Sequence, residues 1–263
     1  MVKKSIGFSW GAAAAAVSNW TGVPLYVLLE ACGVDRNEAN WVWFEGVDDL
    51  PHQSYGTYIP AHTALDPSRD VMICWKQNGD LLQPDHGLPV RIIIPGMIGG
   101  RMVKWMSRIH VSKVESNNHH HYFDNRVPPS YIDAEKATAE GWWYKPEYAI
   151  MDLNVNSALY SPAHGEELDL SKADKQYLLS GYAYTGGGRA IIRVEVSLDD
   201  GATWTLARIS TEETPNAYGK YWCWVKYQVY VDTAALCDAQ EVVVRAWDSS
   251  MNTQPQHLTW NVM

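Results

Sequence analysis

Cationic and glycine residues are concentrated in the middle of the chain, within residues 85–105. His86, Arg91, Arg101 and Lys104 lie in this stretch, and a Gly-Gly pair lies between them, although the formal net charge of the chain is −9. Glycine lets backbone amides approach a ligand closely, and Arg and Lys side chains can neutralise phosphate. This spacing indicates an anion or phosphate site on the rim of a β structure. A solvated basic turn between two strands is the alternative.

The elements around this cluster are predicted from apolar patterning. A helix is predicted over Thr21–Cys32, because Pro24 is near its start and Gly33 follows its end. Asn78-Gly79-Asp80 is a hairpin turn signal. Strands are predicted for Trp41–Phe44, Val71–Trp75, Val90–Ile94 and Ser107–Val114.

The pattern changes after about residue 150 to short alternating strands separated by turns. We place the domain boundary there, with one domain over residues 1–150 and a second over residues 151–263. Alternating strands at this spacing predict a β-sandwich, with Asp199-Asp-Gly as a hairpin turn. The strands are predicted at Tyr177–Tyr184, Ile191–Leu198, Thr203–Ala207, Trp222–Val229 and Glu241–Trp247.

Composition excludes several classes of protein. Hydrophobic residues make up 46% of the chain and charged residues 19%, so a packed core is expected. The acidic balance argues against nucleic acid as a partner. No apolar run approaches the length of a membrane span, and the first residues lack the apolar region of a signal peptide. The four cysteines have no CxxC spacing. We therefore expect reduced thiols in a cytoplasmic protein.

Three consecutive histidines, His119 to His121, suggest a metal site at first sight. Neighbouring side chains point in different directions, so three in a row rarely bind one ion with a fixed geometry. We expect a surface loop.

Four sequence motifs resemble the pterin-binding core of the sulfite oxidase superfamily, and within it the eukaryotic assimilatory nitrate reductase branch. They are His-Gly-Leu-Pro-Val-Arg at residues 86–91, Pro-Gly-Met-Ile-Gly-Gly-Arg-Met-Val-Lys-Trp at 95–105, Asp-Asn-Arg-Val at 124–127 and Gly-Trp-Trp-Tyr-Lys-Pro-Glu-Tyr at 141–148. The similarity covers nearly the whole chain. It implies an α+β sulfite-oxidase-type molybdopterin-binding domain, present here as its C-terminal portion, followed by an all-β immunoglobulin-like dimerisation domain.

The resemblance also assigns site residues. The residues that it places at the molybdenum-pyranopterin cofactor are Asp48, His86, Arg91, Met102, Val103 and Lys104. Those that it places at the substrate are Trp10, Asn125 and Met263, and sulfite oxidases instead carry Tyr at the position of Asn125 and Arg at that of Met263. Structural alternatives stay open for three of them: Asp48 as a turn residue, Asn125 as a turn cap and Trp10 as a core residue.

The implied activity is molybdenum-dependent reduction of nitrate to nitrite by oxygen-atom transfer in nitrate assimilation. The family's molybdenum-binding cysteine lies in a Cys-Ala-Gly-Asn-Arg-Arg-like segment that does not occur here, so these residues alone are expected to be inactive. Haem and FAD are expected only on other domains of the polypeptide, which would donate electrons, and the C-terminal domain would form a homodimer. A sulfite oxidase-like enzyme and a catalytically inert molybdopterin-binding or dimerisation module are the alternatives.

Overall fold

The computed structural model describes residues 11–12, 15–169 and 174–256. Within them the chain forms two compact units. The first consists mainly of residues 18–153 and the second mainly of residues 154–256.

The first unit contains two antiparallel sheets. In one, the central strand β4 pairs with β1, β5 and β6, and in the other β2 lies between β3 and β7. The strands are β1 (Trp20–Pro24), β2 (Trp41–Gly46), β3 (Gly56–Pro60), β4 (Met72–Gln77), β5 (Asp80–Leu81), β6 (Arg91–Ile93) and β7 (Met106–Ser112).

The helices of the first unit are short. They are α1 (Leu25–Ala31), α2 (Ala61–Ala64), α3 (His119–Phe123) and α4 (Ala134–Ala139), and 3₁₀ turns include Pro84–His86 and Gly99–Arg101. The side chains of Asn118 and Asp133 cap α3 and α4 by accepting hydrogen bonds from backbone N–H groups of the first turn. These caps fix where both helices begin.

The core of the first unit lies between its sheets and helices. Leu25 of α1, Phe44 of β2 and Ile92 of β6 are fully buried in one apolar cluster. Because β2 and β6 belong to different sheets, this cluster holds the sheets together. The segment after β6 contains the Gly-Gly pair.

The second unit is a β-sandwich of two antiparallel sheets, in the orders β11-β10-β14 and β12-β13-β9-β8. Residues of β13 alternate between buried and exposed, as expected for a strand with one face in the core. The elements are β8 (Asn156–Ser161), β9 (Gln176–Tyr184), β10 (Ile191–Ser197), β11 (Thr205–Leu206), β12 (Arg208–Ser210), β13 (Val225–Asp232), α5 (Thr233–Asp238) and β14 (Val243–Asp248).

The structure confirms most of the predicted elements and corrects one. The Asn78-Gly79 turn joins β4 to β5, and both residues have positive φ angles, as a two-residue hairpin turn requires. The predicted helix over Thr21–Cys32 is wrong in its first part, because residues 20–24 pair with β4 and the helix begins only at Leu25. No helix in the described part of the chain is long and apolar enough to cross a membrane.

Candidate functional site

A cavity of about 310 Å³ opens in the first unit beside the 3₁₀ turn Gly99–Arg101. The segment before β3 provides one wall, and residues from this turn to the start of β7 provide the other. The lining residues are Asp48, Leu50, Tyr55, Gly99, Gly100, Met102, Val103, Lys104 and Trp105. Four of the six residues predicted to bind cofactor therefore line one cavity.

Arg91, at the start of β6, contacts residues next to this cavity but does not line it. Its guanidinium donates to the backbone carbonyls of His86, at 3.0 Å, and Met102, at 3.3 Å. It also lies 5.1 Å from the centroid of the Trp20 ring. Burial lowers the pKa of Arg91 from its usual value. Arg91 thus ties the Gly-Gly segment to the turn that contains His86.

Lys104 and Trp105 make a second tie to the same turn. Lys104 Nζ donates to the carbonyl of Asp85 at 2.8 Å, and Trp105 Nε1 donates to that of Pro84 at 2.6 Å. Gly87 lies next to them with a φ of 108°. A Cβ there would be 3.1 Å from Lys104 Cβ, so glycine permits both the turn and the close approach of Lys104.

His86 has a different environment from the other predicted cofactor residues. Its side chain is 47% exposed, and its Nε2 lies 3.9 Å from the carboxylate of Asp85. It is adjacent to the cavity through the Arg91 contact but does not line it. The backbone carbonyl of His86, and not its imidazole, takes part in the hydrogen bonds of Arg91.

Arg101 points away from the cavity and is fully buried. Its Nε and Nη2 donate to the carbonyl of Ile150 at 2.9 and 2.6 Å, and its Nη1 contacts Thr57 Oγ1 and, at 2.8 Å, His121 Nδ1. Burial lowers its pKa to about 10, so it stays charged at neutral pH. Arg101 is the one cation of the sequence cluster that serves the interior of the fold.

His121 and its neighbours compensate this buried charge. His121 Nδ1 accepts from Arg101, while Nε2 lies 3.3 Å from Glu115 Oε1, which also accepts from Arg126 at 3.0 Å. Burial, followed by the charges of Arg101 and Arg126, lowers the pKa of His121 to about 2. His121 is therefore neutral and acts as an acceptor for Arg101.

The expectation that His119 to His121 form a surface loop is wrong. These residues open helix α3, and both His120 and His121 are buried. The cap at Asn118 favours a helix over a loop here, and Arg101 draws His121 into the interior. Within the described ranges, no group of three His, Cys, Asp or Glu side chains is placed to hold a metal ion.

Asp48, Tyr55 and Asn125 connect the cavity wall to the interior. Asp48 Oδ2 accepts from the backbone N–H of Tyr55 at 3.1 Å, and the Tyr55 hydroxyl donates to the carbonyl of Gly100 at 2.7 Å. Asn125 Nδ2 donates to the Tyr55 hydroxyl at 3.1 Å and to the carbonyl of His120 at 3.0 Å. Asn125 is thus next to the cavity but does not line it.

Two predicted substrate residues, Trp10 and Met263, lie outside the described residues. Tyr55, Leu50 and Trp105 line the cavity but were not among the predicted site residues. Trp105 ends the motif at residues 95–105, so the motif offered a signal for it. Tyr55 and Leu50 carry no recognisable signal, since only the pairing of β2 and β3 brings their segment to the cavity.

The residues around the cavity fit a pterin cofactor with an anionic tail. Asp48 can accept hydrogen bonds from N–H groups of a ring, and the backbone of residues 102–104 supplies further polar groups. Lys104 also lines the cavity, and its charge can pair with an anionic tail.

Comparison with known families shows the class of protein. Residues 1–120 match the oxidoreductase molybdopterin binding domain, and residues 147–263 match the Mo-co oxidoreductase dimerisation domain. The chain therefore carries a molybdopterin-binding domain and a Mo-co oxidoreductase dimerisation domain. A solved structure, the sulfane dehydrogenase SoxCD from Paracoccus pantotrophus, is 26% identical with a TM-score of 0.67, covering 90% of this chain and 54% of that one. This likeness confirms the predicted sulfite-oxidase-type fold.

Curated relatives of the chain include nitrate reductases. The whole chain matches the NADPH nitrate reductase of Phytophthora infestans at 61% identity, the NADH enzyme of Volvox carteri at 56% and inducible NADH nitrate reductase 2 of Glycine max at 54%. The chain spans 30–31% of the length of these relatives. The predicted resemblance to the nitrate reductase branch is confirmed.

The neutral state of His121 predicts a specific pH dependence of stability. The folded-state pKa of about 2 is below the usual 6.5, so the unfolded chain binds a proton first as the pH falls. The free energy of unfolding should therefore decrease below pH 6.5, by about 1.4 kcal/mol per pH unit from this group. In His121→Gln, the loss of stability between pH 7 and pH 5 should be smaller by about 2 kcal/mol.

Urea denaturation at several pH values measures this difference. The control is His164→Gln, since His164 is an exposed histidine of the second unit. That variant should keep the pH dependence of the wild type. Parallel pH profiles for the wild type and His121→Gln would show that His121 is not held neutral.

Proposed function

We propose that this chain is the molybdopterin-binding and dimerisation part of a nitrate reductase, and that it takes part in the reduction of nitrate to nitrite. One observation carries the proposal: Asp48, Met102, Val103 and Lys104, assigned to the cofactor from sequence motifs, line a single cavity. The identity of 54–61% to nitrate reductases from three organisms supports it. The cofactor would be molybdenum-molybdopterin.

The residues predicted to bind cofactor have definite roles in this proposal. Asp48 holds the edge of the pterin ring, and residues 102–104 form the wall against which the cofactor packs. Arg91 and Lys104 are the cations at its phosphate end, with His86 beside them. When bound, the molybdenum centre supplies the oxygen-atom transfer. The protein supplies binding, orientation and charge.

The substrate would be bound by neutral groups. Trp10, Asn125 and Met263 are the proposed substrate residues, and none carries a charge. Met is polarizable but neutral, whereas an Arg at the same place would attract a dianion more strongly than a monoanion. A neutral pocket therefore favours singly charged nitrate over doubly charged sulfite.

We also propose the organisation of the whole protein. Residues 1–150 form the C-terminal portion of the molybdenum-cofactor domain, and residues 151–263 form the dimerisation domain of a cytoplasmic homodimer. Haem and flavin domains of the same polypeptide would donate the electrons. Sedimentation of the purified protein at micromolar concentration tests the dimer, and a monomer would contradict it.

Arg91→Ala should lower the cofactor content of the purified protein about tenfold or more. The change removes the guanidinium that holds the carbonyls of His86 and Met102 and that neutralises the phosphate. Molybdenum and pterin are measured per polypeptide in the natural full-length protein. The matched control is Arg108→Ala, because Arg108 is an arginine of β7 with a side chain 70% exposed. Full cofactor content in Arg91→Ala would refute this role, and absence of molybdenum from the wild type would favour an inert module.

Met263→Arg should shift the substrate preference from nitrate toward sulfite. An added positive charge stabilises a bound dianion more than a bound monoanion, so kcat/KM for sulfite should rise relative to that for nitrate. Steady-state assays with both anions measure the ratio, and Met263→Leu is the neutral control. An unchanged ratio in Met263→Arg would contradict the charge-based account of specificity.

A further inference from the structure

The side chain of Asn125 is enclosed by protein groups. Asn125 is 3% exposed, and its Nδ2 group donates to both the Tyr55 hydroxyl and the carbonyl of His120. A primary amide has two N–H donors, so both are used. A substrate oxygen could receive an N–H from Asn125 only by replacing one of these two partners.

Tyr55 lies between Asn125 and the cavity. It lines the cavity, its hydroxyl donates to the carbonyl of Gly100, and its backbone N–H is held by Asp48. Its ring also lies 5.5 Å from that of His120. Burial raises the pKa of Tyr55, so its hydroxyl stays protonated and can donate. One hydroxyl thus accepts from Asn125 and donates to the cavity wall.

Gly100 completes this arrangement from the other side. A Cβ at Gly100 would lie 2.3 Å from Asn125 Oδ1 and 3.3 Å from the Tyr55 hydroxyl. Any larger residue would displace the amide. Gly99 differs, because a Cβ there would meet nothing within 4 Å. The requirement for glycine at position 100 therefore comes from the position of Asn125.

We propose that Tyr55 is a positioning residue for substrate binding, because its hydroxyl fixes the amide of Asn125 against Gly100. This inference rests on the proposed function, because the substrate role of Asn125 is part of it. The hydrogen bonds Asn125 to Tyr55 to Gly100 form a chain in which each group orients the next. Loss of the hydroxyl frees one N–H of Asn125 and removes the donor to Gly100.

The test compares Tyr55→Phe, Asn125→Ala and the double variant in the natural full-length protein. Tyr55→Phe should raise the KM for nitrate about three- to tenfold, as expected for one lost hydrogen bond, with kcat per molybdenum within about twofold. The change in KM of the double variant should be at least about threefold smaller than the product of the single changes. Tyr227→Phe is the matched control, since Tyr227 is a buried tyrosine of the second unit whose hydroxyl donates to the carbonyl of Ala158.

Independent single effects, or a KM for Tyr55→Phe equal to that for Tyr227→Phe, would overturn the proposal. The same cycle is measured on the unfolding equilibrium, where coupling between Tyr55 and Asn125 is expected without any substrate. A wild-type protein that does not reduce nitrate would contradict the proposed function. The double-mutant cycle on unfolding would still measure the coupling between Tyr55 and Asn125. Absence of coupling in unfolding would overturn the inference by itself.

Gly100→Ala is the second variant, in case Tyr55→Phe does not fold. It displaces the Asn125 amide without removing the Tyr55 hydroxyl, so the KM for nitrate should rise. Gly99→Ala provides the baseline for an added methyl group on the same turn. The rise in Gly100→Ala should exceed this baseline at least about threefold, and equal values for the two variants would contradict the proposal.

Discussion

The shape of the cavity depends on the hydrogen bonds of the buried Arg101 guanidinium. Moving a charge out of water costs several kcal/mol unless it is well hydrogen-bonded. Here the carbonyl of Ile150, the Thr57 hydroxyl and neutral His121 all accept from Arg101. Because Arg101 points inward and is fixed in this way, the next three residues are presented to the cavity. One short segment thus provides both the buried charge of Arg101 and the cavity wall at residues 102–104.

The cations of the sequence cluster divide into two groups with different functions. Arg101 is satisfied inside the fold, whereas Arg91 and Lys104 hold the turn at residues 84–86 against the Gly-Gly segment. The arrangement therefore gives the cavity a hydrogen-bonded frame, and Lys104 is the residue of this frame whose charged side chain also lines the cavity.

Much of the fold could be predicted from the sequence, because alternation and turn chemistry act locally. The hairpin at Asn78-Gly79 and the strands of the sandwich are examples. The strand β1 was not predicted, because Pro24 was placed within the first turn of a helix, whereas pairing with β4 makes residues 20–24 extended. Tertiary partners outweigh local preference in such segments.

The candidate site was predictable to the extent that its motifs are contiguous. Residues 102–104 and Asp48, which the resemblance assigned to the cofactor, line one cavity. The inward orientation of Arg101 depends on Ile150 and His121, far away in sequence. The burial of His121 has the same origin. Tyr55 could not be found in advance, because its role depends on the β2–β3 pairing and on a contact with Asn125, seventy residues away.

The segments around the cavity are held together largely by side chains that donate hydrogen bonds to backbone carbonyls. These carbonyls belong to Pro84, Asp85, Met102 and Ile150. Every residue has a backbone carbonyl, so the residue whose carbonyl accepts the hydrogen bond can be substituted. The residue whose side chain donates that hydrogen bond cannot. Asp85, with a side chain 77% exposed, is such a replaceable position, and Lys104 is its irreplaceable counterpart. Within each hydrogen-bonded pair around the cavity, the residue with the accepting carbonyl should consequently tolerate substitution, and the residue with the donating side chain should not.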